Sequence, residues 1–81
     1  MSRPTIENFL LASKEEANQV LEAMNGVIKR YAFVSLADLY TLVGFDSTYI
    51  HSKWGWTDLK EVEIKQVGNA YSLNLPPLEE I

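Results

Sequence analysis

The sequence predicts an α+β domain in which a long N-terminal helix and a short second helix precede a C-terminal two-stranded antiparallel hairpin. Three observations support this: an apolar stripe at helical spacing after Ser13, a short capped apolar segment that ends at Gly44, and two alternating segments on either side of Gly68. The 81 residues are enough for one hydrophobic core but not for two. We therefore expect an N-terminal arm at residues 1–12 and a single domain at residues 13–81.

The arm at residues 1–12 lacks a clear helix cap. Ile6, Phe9 and Leu10 have helical spacing, but the segment is brief, so it can equally form an extended strap on the domain. The sequence leaves both conformations open.

The first helix is predicted at residues 14–31. Ser13 and Glu16 form a capping box, in which the hydroxyl accepts from a backbone N–H and the carboxylate reaches back to the cap. The apolar residues that follow at helical spacing are Ala17, Val20, Leu21, Met24, Val27, Ile28 and Tyr31. Because they form one stripe with a period near 3.6, we expect this face of the helix to pack on the core.

The middle of the chain predicts a short strand and then a short second helix. Residues 32–34 (Ala-Phe-Val) fit a strand of two or three residues. Ser35 and Asp38 give a second capping signal, and the apolar residues that follow predict a helix at residues 36–43. Gly44 is expected to end this helix in the left-handed conformation.

The segment after this helix is the least predictable. Phe45 is expected to fold back onto the last helical turn. Asp46 or Ser47 can cap a short third helix of one or two turns, which would end at Lys53. Gly55, between two tryptophans, predicts a turn.

The last third of the chain predicts a β-hairpin whose register follows from the sequence. With Gly68 and Asn69 as a two-residue turn, Val67 faces Ala70. Further from the turn, Ile64 then faces Leu73 and Val62 faces Leu75. One face of the hairpin then collects Val62, Ile64, Gln66, Tyr71, Leu73 and Leu75. A shift by one residue would scramble this sorting, so the pattern fixes the pairing. The two prolines that follow end the second strand, because proline has no N–H to donate.

The composition disfavours several classes of partner. Seven Lys and Arg residues against eleven Asp and Glu residues make the chain acidic, with a net charge of −4. Affinity for nucleic acid and for anionic membranes comes from clustered basic residues, so both are disfavoured, although a small basic patch would still allow nucleic-acid binding. The chain has no cysteine, no bilayer-length apolar run and no signal-peptide pattern, which favours the cytoplasm.

The sequence offers no convincing catalytic or metal-binding set. His51 is the only histidine, and there is no cysteine to join it as a metal ligand. A serine–histidine–aspartate set has no specific support, and the four glycines form no phosphate-binding loop. Glu61 and Glu63 alternate on the polar face of the hairpin, where carboxylates usually discourage strand aggregation. We therefore expect a protein that is not an enzyme and has no metal or cofactor.

Residues 54–56 (Trp-Gly-Trp) are unusual, because two tryptophans are difficult to bury in a domain of this size. In one interpretation, one tryptophan fills the gap between helices and hairpin while the other covers its edge. In the other, a tryptophan is an exposed anchor for a protein partner, since tryptophan and tyrosine dominate interface hot spots. The protein-binding surface predicted on this basis comprises Tyr49, His51, Trp54, Trp56 and Tyr71, with acidic residues at its rim.

The order of the predicted elements is also that of a winged helix-turn-helix. The third helix would then read DNA and the hairpin would be the wing, with Thr48, His51, Lys53 and Lys65 as DNA contacts. Two observations count against DNA reading: these elements carry few basic residues, and Tyr40 stands where a helix-turn-helix usually needs a small residue. A winged-helix-like arrangement kept for protein contacts is an equal alternative.

Four segments of the chain resemble a group of small uncharacterised proteins encoded by bacteriophages and prophages. They are V-S-L-A-D-L-Y at residues 34–40, L-V-G at residues 42–44, K-W-G-W-T-D-L at residues 53–59 and Y-S-L-N-L-P at residues 71–76. The resemblance implies a phage or mobile-element origin and no particular reaction. We accordingly expect a phage-type accessory protein that binds a phage or host protein, as a virion or assembly component or as an inhibitor of a host factor. It would act in the bacterial host cytoplasm or in the virion, alone or as a homo-oligomer.

Overall fold

The computed structural model describes residues 3–7 and 9–81, which form an α+β fold with antiparallel strands. Its elements in chain order are α1 Lys14–Tyr31, β1 Val34–Ser35, α2 Leu36–Val43, a 3-10 helix Tyr49–Lys53, β2 Trp54–Trp56, β3 Glu63–Val67, β4 Ala70–Asn74 and β5 Glu79–Glu80. The strands form a three-stranded sheet in the order β1-β2-β5 and a separate two-stranded sheet of β3 and β4. The predicted α+β class is confirmed, whereas the three-stranded sheet was not predicted.

α1 begins and ends at the predicted residues. The Ser13 hydroxyl accepts a hydrogen bond from the Glu16 N–H at 3.1 Å, whereas the Glu16 carboxylate accepts from the Ala12 N–H at 3.2 Å rather than from the cap residue. Three residues of the predicted stripe are buried, namely Ala17, Val20 and Met24. Tyr31 is 64% exposed, so the apolar stripe ends one turn before the helix does.

The chain leaves α1 through Ala32, the only non-glycine residue in the described part of the chain with a left-handed backbone (φ 70°). Its N–H donates to the Ile28 carbonyl at 2.8 Å, which satisfies one acceptor of the last helical turn. Because Ala32 caps the helix, it cannot join the strand predicted at residues 32–34. The strand consists of Val34 and Ser35 instead, and the predicted bounds were wrong.

α2 has the predicted caps at both ends. The Ser35 hydroxyl accepts from the Asp38 N–H at 3.0 Å, and the Asp38 carboxylate accepts from the Ser35 N–H at 3.1 Å, which completes a capping box. Gly44 ends the helix with a φ of 84°. Phe45 folds back as expected, since its N–H donates to the Tyr40 carbonyl and its ring centroid lies 5.7 Å from that of Tyr40.

The hairpin of β3 and β4 has the predicted register. Val67 pairs with Ala70, and Ile64 pairs with Leu73. Gly68 opens the turn with a φ of 62°, the positive value that the first central residue of a type II′ turn requires. The hairpin packs on α1, and its Val, Ile, Leu and Tyr side chains on the predicted face are partly buried against the core.

Gly55 lies in the middle of β2, where a turn was predicted. β2 pairs with β1 on one side and with β5 on the other, so that Gly55 faces Ser35 and Glu79. A Cβ atom at Gly55 would overlap the Val34 carbonyl oxygen and would lie 2.7 Å from the Ser35 Cα atom. The predicted turn is wrong, because this glycine permits the close approach of two strands rather than a chain reversal.

The described part of the arm is extended rather than helical. Leu11 and Tyr71 exchange two backbone hydrogen bonds of 2.8 and 2.9 Å, so the arm pairs with the edge of β4 that β3 leaves open. Leu11 is 4% exposed whereas Leu10 is 59% exposed, an alternation typical of an extended chain. Of the two conformations left open by the sequence, the extended strap is confirmed.

The core lies between the two helices and the two sheets. Its largest fully buried side chains are Trp56, Tyr40, Met24, Leu36, Leu39 and Val34. Leu11 from the arm and Leu78, directly before β5, belong to the same buried cluster. The core therefore anchors the arm and β5 as well as the predicted elements.

Candidate functional site

The five residues of the predicted protein-binding surface do not form one group. Tyr49 and His51 lie on the 3-10 helix, which packs against α2, β1 and β2. Tyr71 lies on β4, which packs against β3 and α1 and whose backbone is paired with Leu11. The structure therefore groups Tyr49 with His51 and leaves Tyr71 outside this group.

Trp56 is an interior residue. Its side chain is 1% exposed, and its indole N–H donates to the Pro76 carbonyl at 2.8 Å. A partner cannot reach this side chain in the present conformation, so Trp56 is removed from the predicted contact surface. The interpretation in which one of the two tryptophans fills the interior describes Trp56 correctly.

Trp54 is half-buried and packs against the core. The nitrogen of its indole is buried without an acceptor among the described residues. An interface tryptophan usually presents its N–H for hydrogen bonding, whereas here the polar end of the ring is the covered end. Trp54 therefore offers a partner only apolar ring surface.

Tyr49 is the most exposed large hydrophobic side chain in the described part of the chain, at 71%. The Lys53 ammonium nitrogen lies 5.4 Å from the centroid of its ring, within cation–π distance. The two side chains form an aromatic and cationic pair on one face of the 3-10 helix.

His51 holds the first turn of the 3-10 helix together. Its ring nitrogen Nδ1 accepts a hydrogen bond from the Thr48 N–H at 3.0 Å, and the His51 backbone N–H donates to the Thr48 carbonyl at 3.0 Å. The imidazole ring stands edge-on to the Tyr40 ring, with centroids 4.9 Å apart. Because Nδ1 acts as an acceptor, the neutral ring carries its proton on Nε2.

The residues of the DNA-binding alternative are only partly brought together. Thr48, His51 and Lys53 belong to one short segment, whereas Lys65 lies on β3, in the other sheet. The predicted third helix is present as a 3-10 helix of five residues. At a rise of about 2 Å per residue this helix is only about 10 Å long.

The side chains considered for catalysis either lie apart from one another or are already hydrogen-bonded to the backbone. Within residues 3–7 and 9–81, no three His, Cys, Asp or Glu side chains come together as a metal site would require. Glu61 and Glu63 are exposed. The Ser52 hydroxyl, next to the histidine in sequence, donates to the Tyr49 carbonyl at 2.6 Å. No helix among the described residues combines the length and apolar character needed to cross a membrane.

Sequence reasoning missed an exposed apolar residue on α2. Leu42 is 41% exposed, and α2 is the helix against which the 3-10 helix packs. A signal for it exists in the sequence, because Leu36, Leu39 and Val43 follow helical spacing and Leu42 falls beside this stripe.

We define the Tyr49 surface as the residues Thr48, Tyr49, His51 and Lys53.

Comparison with known proteins supplies no relative for this fold or site. No family model matches the chain, and no match is found among curated proteins or solved structures. The Tyr49 surface is therefore interpreted from its own geometry.

Proposed function

We propose that this chain is a small phage-type accessory protein that acts without catalysis, by binding another protein through the Tyr49 surface. The observation that supports this most directly is the 71% exposure of Tyr49 on a short, hydrogen-bonded helix. A large, rigid aromatic side chain gains contact area at low cost in conformational entropy, which is why tyrosine is frequent in interface hot spots. The partner would be a phage or host protein.

The backbone under Tyr49 is held at both ends of the 3-10 helix. At its start, the Thr48 N–H is bound by the imidazole of His51. At its end, the Lys53 carbonyl accepts a hydrogen bond of 2.9 Å from the Ile81 N–H, which follows β5. The backbone that carries Tyr49 is therefore held in place, which reduces the ordering that binding would require.

The polar groups around Tyr49 support binding rather than chemistry. His51 Nδ1 and the Ser52 hydroxyl are both used in hydrogen bonds to the backbone of the same short segment. A nucleophile and a base that act together would instead be within hydrogen-bond reach of each other. We accordingly propose a virion or assembly component or an inhibitor of a host factor, in the bacterial cytoplasm or the virion, alone or as a homo-oligomer.

The test compares two exposed tyrosines. Immobilised wild-type protein, Tyr49→Ala and Tyr31→Ala are each incubated with lysate of the bacterial host, and a retained protein is then purified and its affinity measured. Tyr31 is the matched control, because it is 64% exposed but lies at the end of α1. We expect Tyr49→Ala to weaken binding by about thirtyfold or more, the factor for a hot-spot loss of about 2 kcal/mol, and Tyr31→Ala to bind normally. Equal affinity of both variants would refute the proposed surface.

A DNA-binding winged helix is the second candidate, favoured by the grouping of Thr48, His51 and Lys53 on the segment that would read DNA. Lys53 stacked on Tyr49 and Lys65 in the other sheet count against it. Retention on DNA at several salt concentrations separates the two candidates. Protein binding predicts no retention, whereas DNA binding predicts retention that falls steeply with salt and is weakened by Lys53→Ala and Lys65→Ala.

A further inference from the structure

We propose that His51 is a pH-sensitive latch on the first turn of the 3-10 helix, closed when its imidazole is neutral and released when it is protonated. As a means of regulating partner binding, the latch rests on the proposed function of the Tyr49 surface. The latch itself concerns one hydrogen bond within the chain and is measured without any partner.

The latch follows from the direction of the hydrogen bond between Thr48 and His51. The Thr48 N–H is the donor, and His51 Nδ1 is the acceptor, at 3.0 Å. A protonated imidazole carries hydrogen on both nitrogens and has no acceptor. Proton uptake and this hydrogen bond therefore exclude each other, and a protonated ring must leave the Thr48 N–H.

The chain contains an internal comparison for this latch. In α2, Ser35 and Asp38 have the same three-residue spacing as Thr48 and His51, and the Asp38 carboxylate accepts the Ser35 N–H at 3.1 Å. A carboxylate is protonated only near pH 4 and even then keeps a carbonyl oxygen as an acceptor, whereas an imidazole has no acceptor once it is protonated. Of these two cap hydrogen bonds, only the one at His51 has an acceptor that a single proton removes.

Few charged or titratable groups lie on the elements around His51. The elements packed on the 3-10 helix contribute only Asp38 and Tyr40, both from α2, because β1 and β2 contain no ionisable side chain. The remaining groups to consider are Tyr49 and Lys53 on the 3-10 helix itself, Asp46 in the preceding loop, and Glu79 and Glu80 on β5 beyond β2. The carboxylates of Asp38 and Glu79 already accept backbone N–H groups.

Little of the hydrophobic core opposes the opening of this turn. None of the five residues of the 3-10 helix is fully buried, so the side chains that move when Thr48 and His51 separate are not core residues. The departing imidazole uncovers part of the Tyr40 ring, which it meets edge-on at 4.9 Å. The next residue affected is Tyr49, whose backbone is fixed by the same turn. The proton on His51 would therefore control how rigidly the exposed tyrosine is presented.

Solution NMR tests the latch in the intact chain. Backbone amide and imidazole nitrogen spectra are recorded from pH 4.5 to pH 8 for the wild type, His51→Asn and His51→Asp. The ring titration is assigned without ambiguity, because the chain has a single histidine. Asparagine retains an acceptor that does not titrate, and aspartate reproduces the α2 arrangement with an acceptor that titrates near pH 4. Thermal melts at pH 7.5 confirm that each variant is folded.

In the wild type we expect the Nε2–H tautomer at pH 7.5 and a Thr48 amide shift that titrates together with the His51 ring. Exchange protection of the Thr48 amide should fall by about fivefold when the ring is protonated, the factor that corresponds to loss of a hydrogen bond of about 1 kcal/mol. The Thr48 amide of His51→Asn should be flat, and that of His51→Asp should move only toward pH 4. A neutral ring with its proton on Nδ1, or a Thr48 amide that is unaffected by the ring or still titrates near neutral pH in His51→Asn, would overturn the latch. Loss of partner binding by Tyr49→Ala would be unaffected by that result, so the two proposals fail separately.

Discussion

Gly55→Ala is the substitution that most directly tests the packing of β1 against β2. The added Cβ atom would overlap the Val34 carbonyl oxygen and would lie 2.7 Å from the Ser35 Cα atom. These neighbours are backbone atoms, which cannot rotate away as a flexible side chain can. The clash can be relieved only if β1 moves away from β2.

The expected cost of Gly55→Ala follows from what β1 carries. Val34 is 0% exposed and Ser35 caps α2, so a displaced β1 disturbs both the core and a helix start. Overpacking of a well-packed core usually costs 1–3 kcal/mol, and we expect the upper end, about 3 kcal/mol. The smaller entropy of the unfolded alanine chain offsets only about 0.4–1 kcal/mol. For a domain with a free energy of unfolding of about 4–12 kcal/mol, this is a large loss.

Gly26→Ala is the matched control, because it makes the same chemical change in the middle of α1. A Cβ atom at Gly26 meets no atom within 4 Å. Alanine is favoured over glycine within a helix by about 1 kcal/mol, so this variant should be more stable than the wild type. Urea unfolding followed by far-ultraviolet circular dichroism gives both free energies. In thermal melts, Gly26→Ala should raise the Tm by about 4–8 °C and Gly55→Ala should lower it by more than about 10 °C. A Gly55→Ala midpoint equal to that of the wild type would show that β1 and β2 are not in close contact.

Two further substitutions test the helix end and the apolar stripe. Ala32→Gly should stabilise the domain by up to about 1 kcal/mol, because glycine adopts the left-handed backbone of φ 70° without the penalty that alanine carries. A lower stability of this variant in urea would contradict the observed cap. Met24→Ala should lower the free energy of unfolding by about 2–5 kcal/mol, because Met24 is 0% exposed. Leu21→Ala should cost less than half as much, because Leu21 is only partly buried. Equal losses of stability in the same assay would show that α1 turns a different face to the core.

The features that the sequence predicts well are those encoded within a few neighbouring residues. The cap at Ser13, the capping box of Ser35 with Asp38 and the left-handed Gly44 each depend on residues no more than four positions apart. The hairpin around Gly68 adds a second constraint, because the apolar face is consistent in only one register. For these elements the local signals and the tertiary packing agree, which is typical of natural sequences.

The three-stranded sheet was missed because its signals are neither local nor periodic. β1 and β5 have two residues each, too few to show alternation. Gly55 pairs with Glu79, a residue distant in sequence, and glycine between two polar or aromatic residues more often marks a turn. The burial of Trp56 depends on this sheet, so the choice between an interior and an exposed tryptophan could not be made before the sheet was known.

Tyr40 is the residue whose packing bears most directly on the helix-turn-helix alternative. In a helix-turn-helix this position is small, so that the two helices approach closely. Tyr40 is instead 1% exposed, and its ring lies against His51 at 4.9 Å and against Phe45 at 5.7 Å. Its hydroxyl also accepts the Glu7 N–H from the arm at 2.9 Å.

One buried side chain thus occupies the space between α2 and the 3-10 helix and ties the arm to both. The 3-10 helix beside this ring has five residues, and Tyr49 is its most exposed large hydrophobic side chain. The same ring lies edge-on to the half-buried His51 ring, whose Nδ1 atom accepts from the Thr48 N–H. The residue that argues against DNA reading is therefore the residue that positions the proposed protein-binding surface.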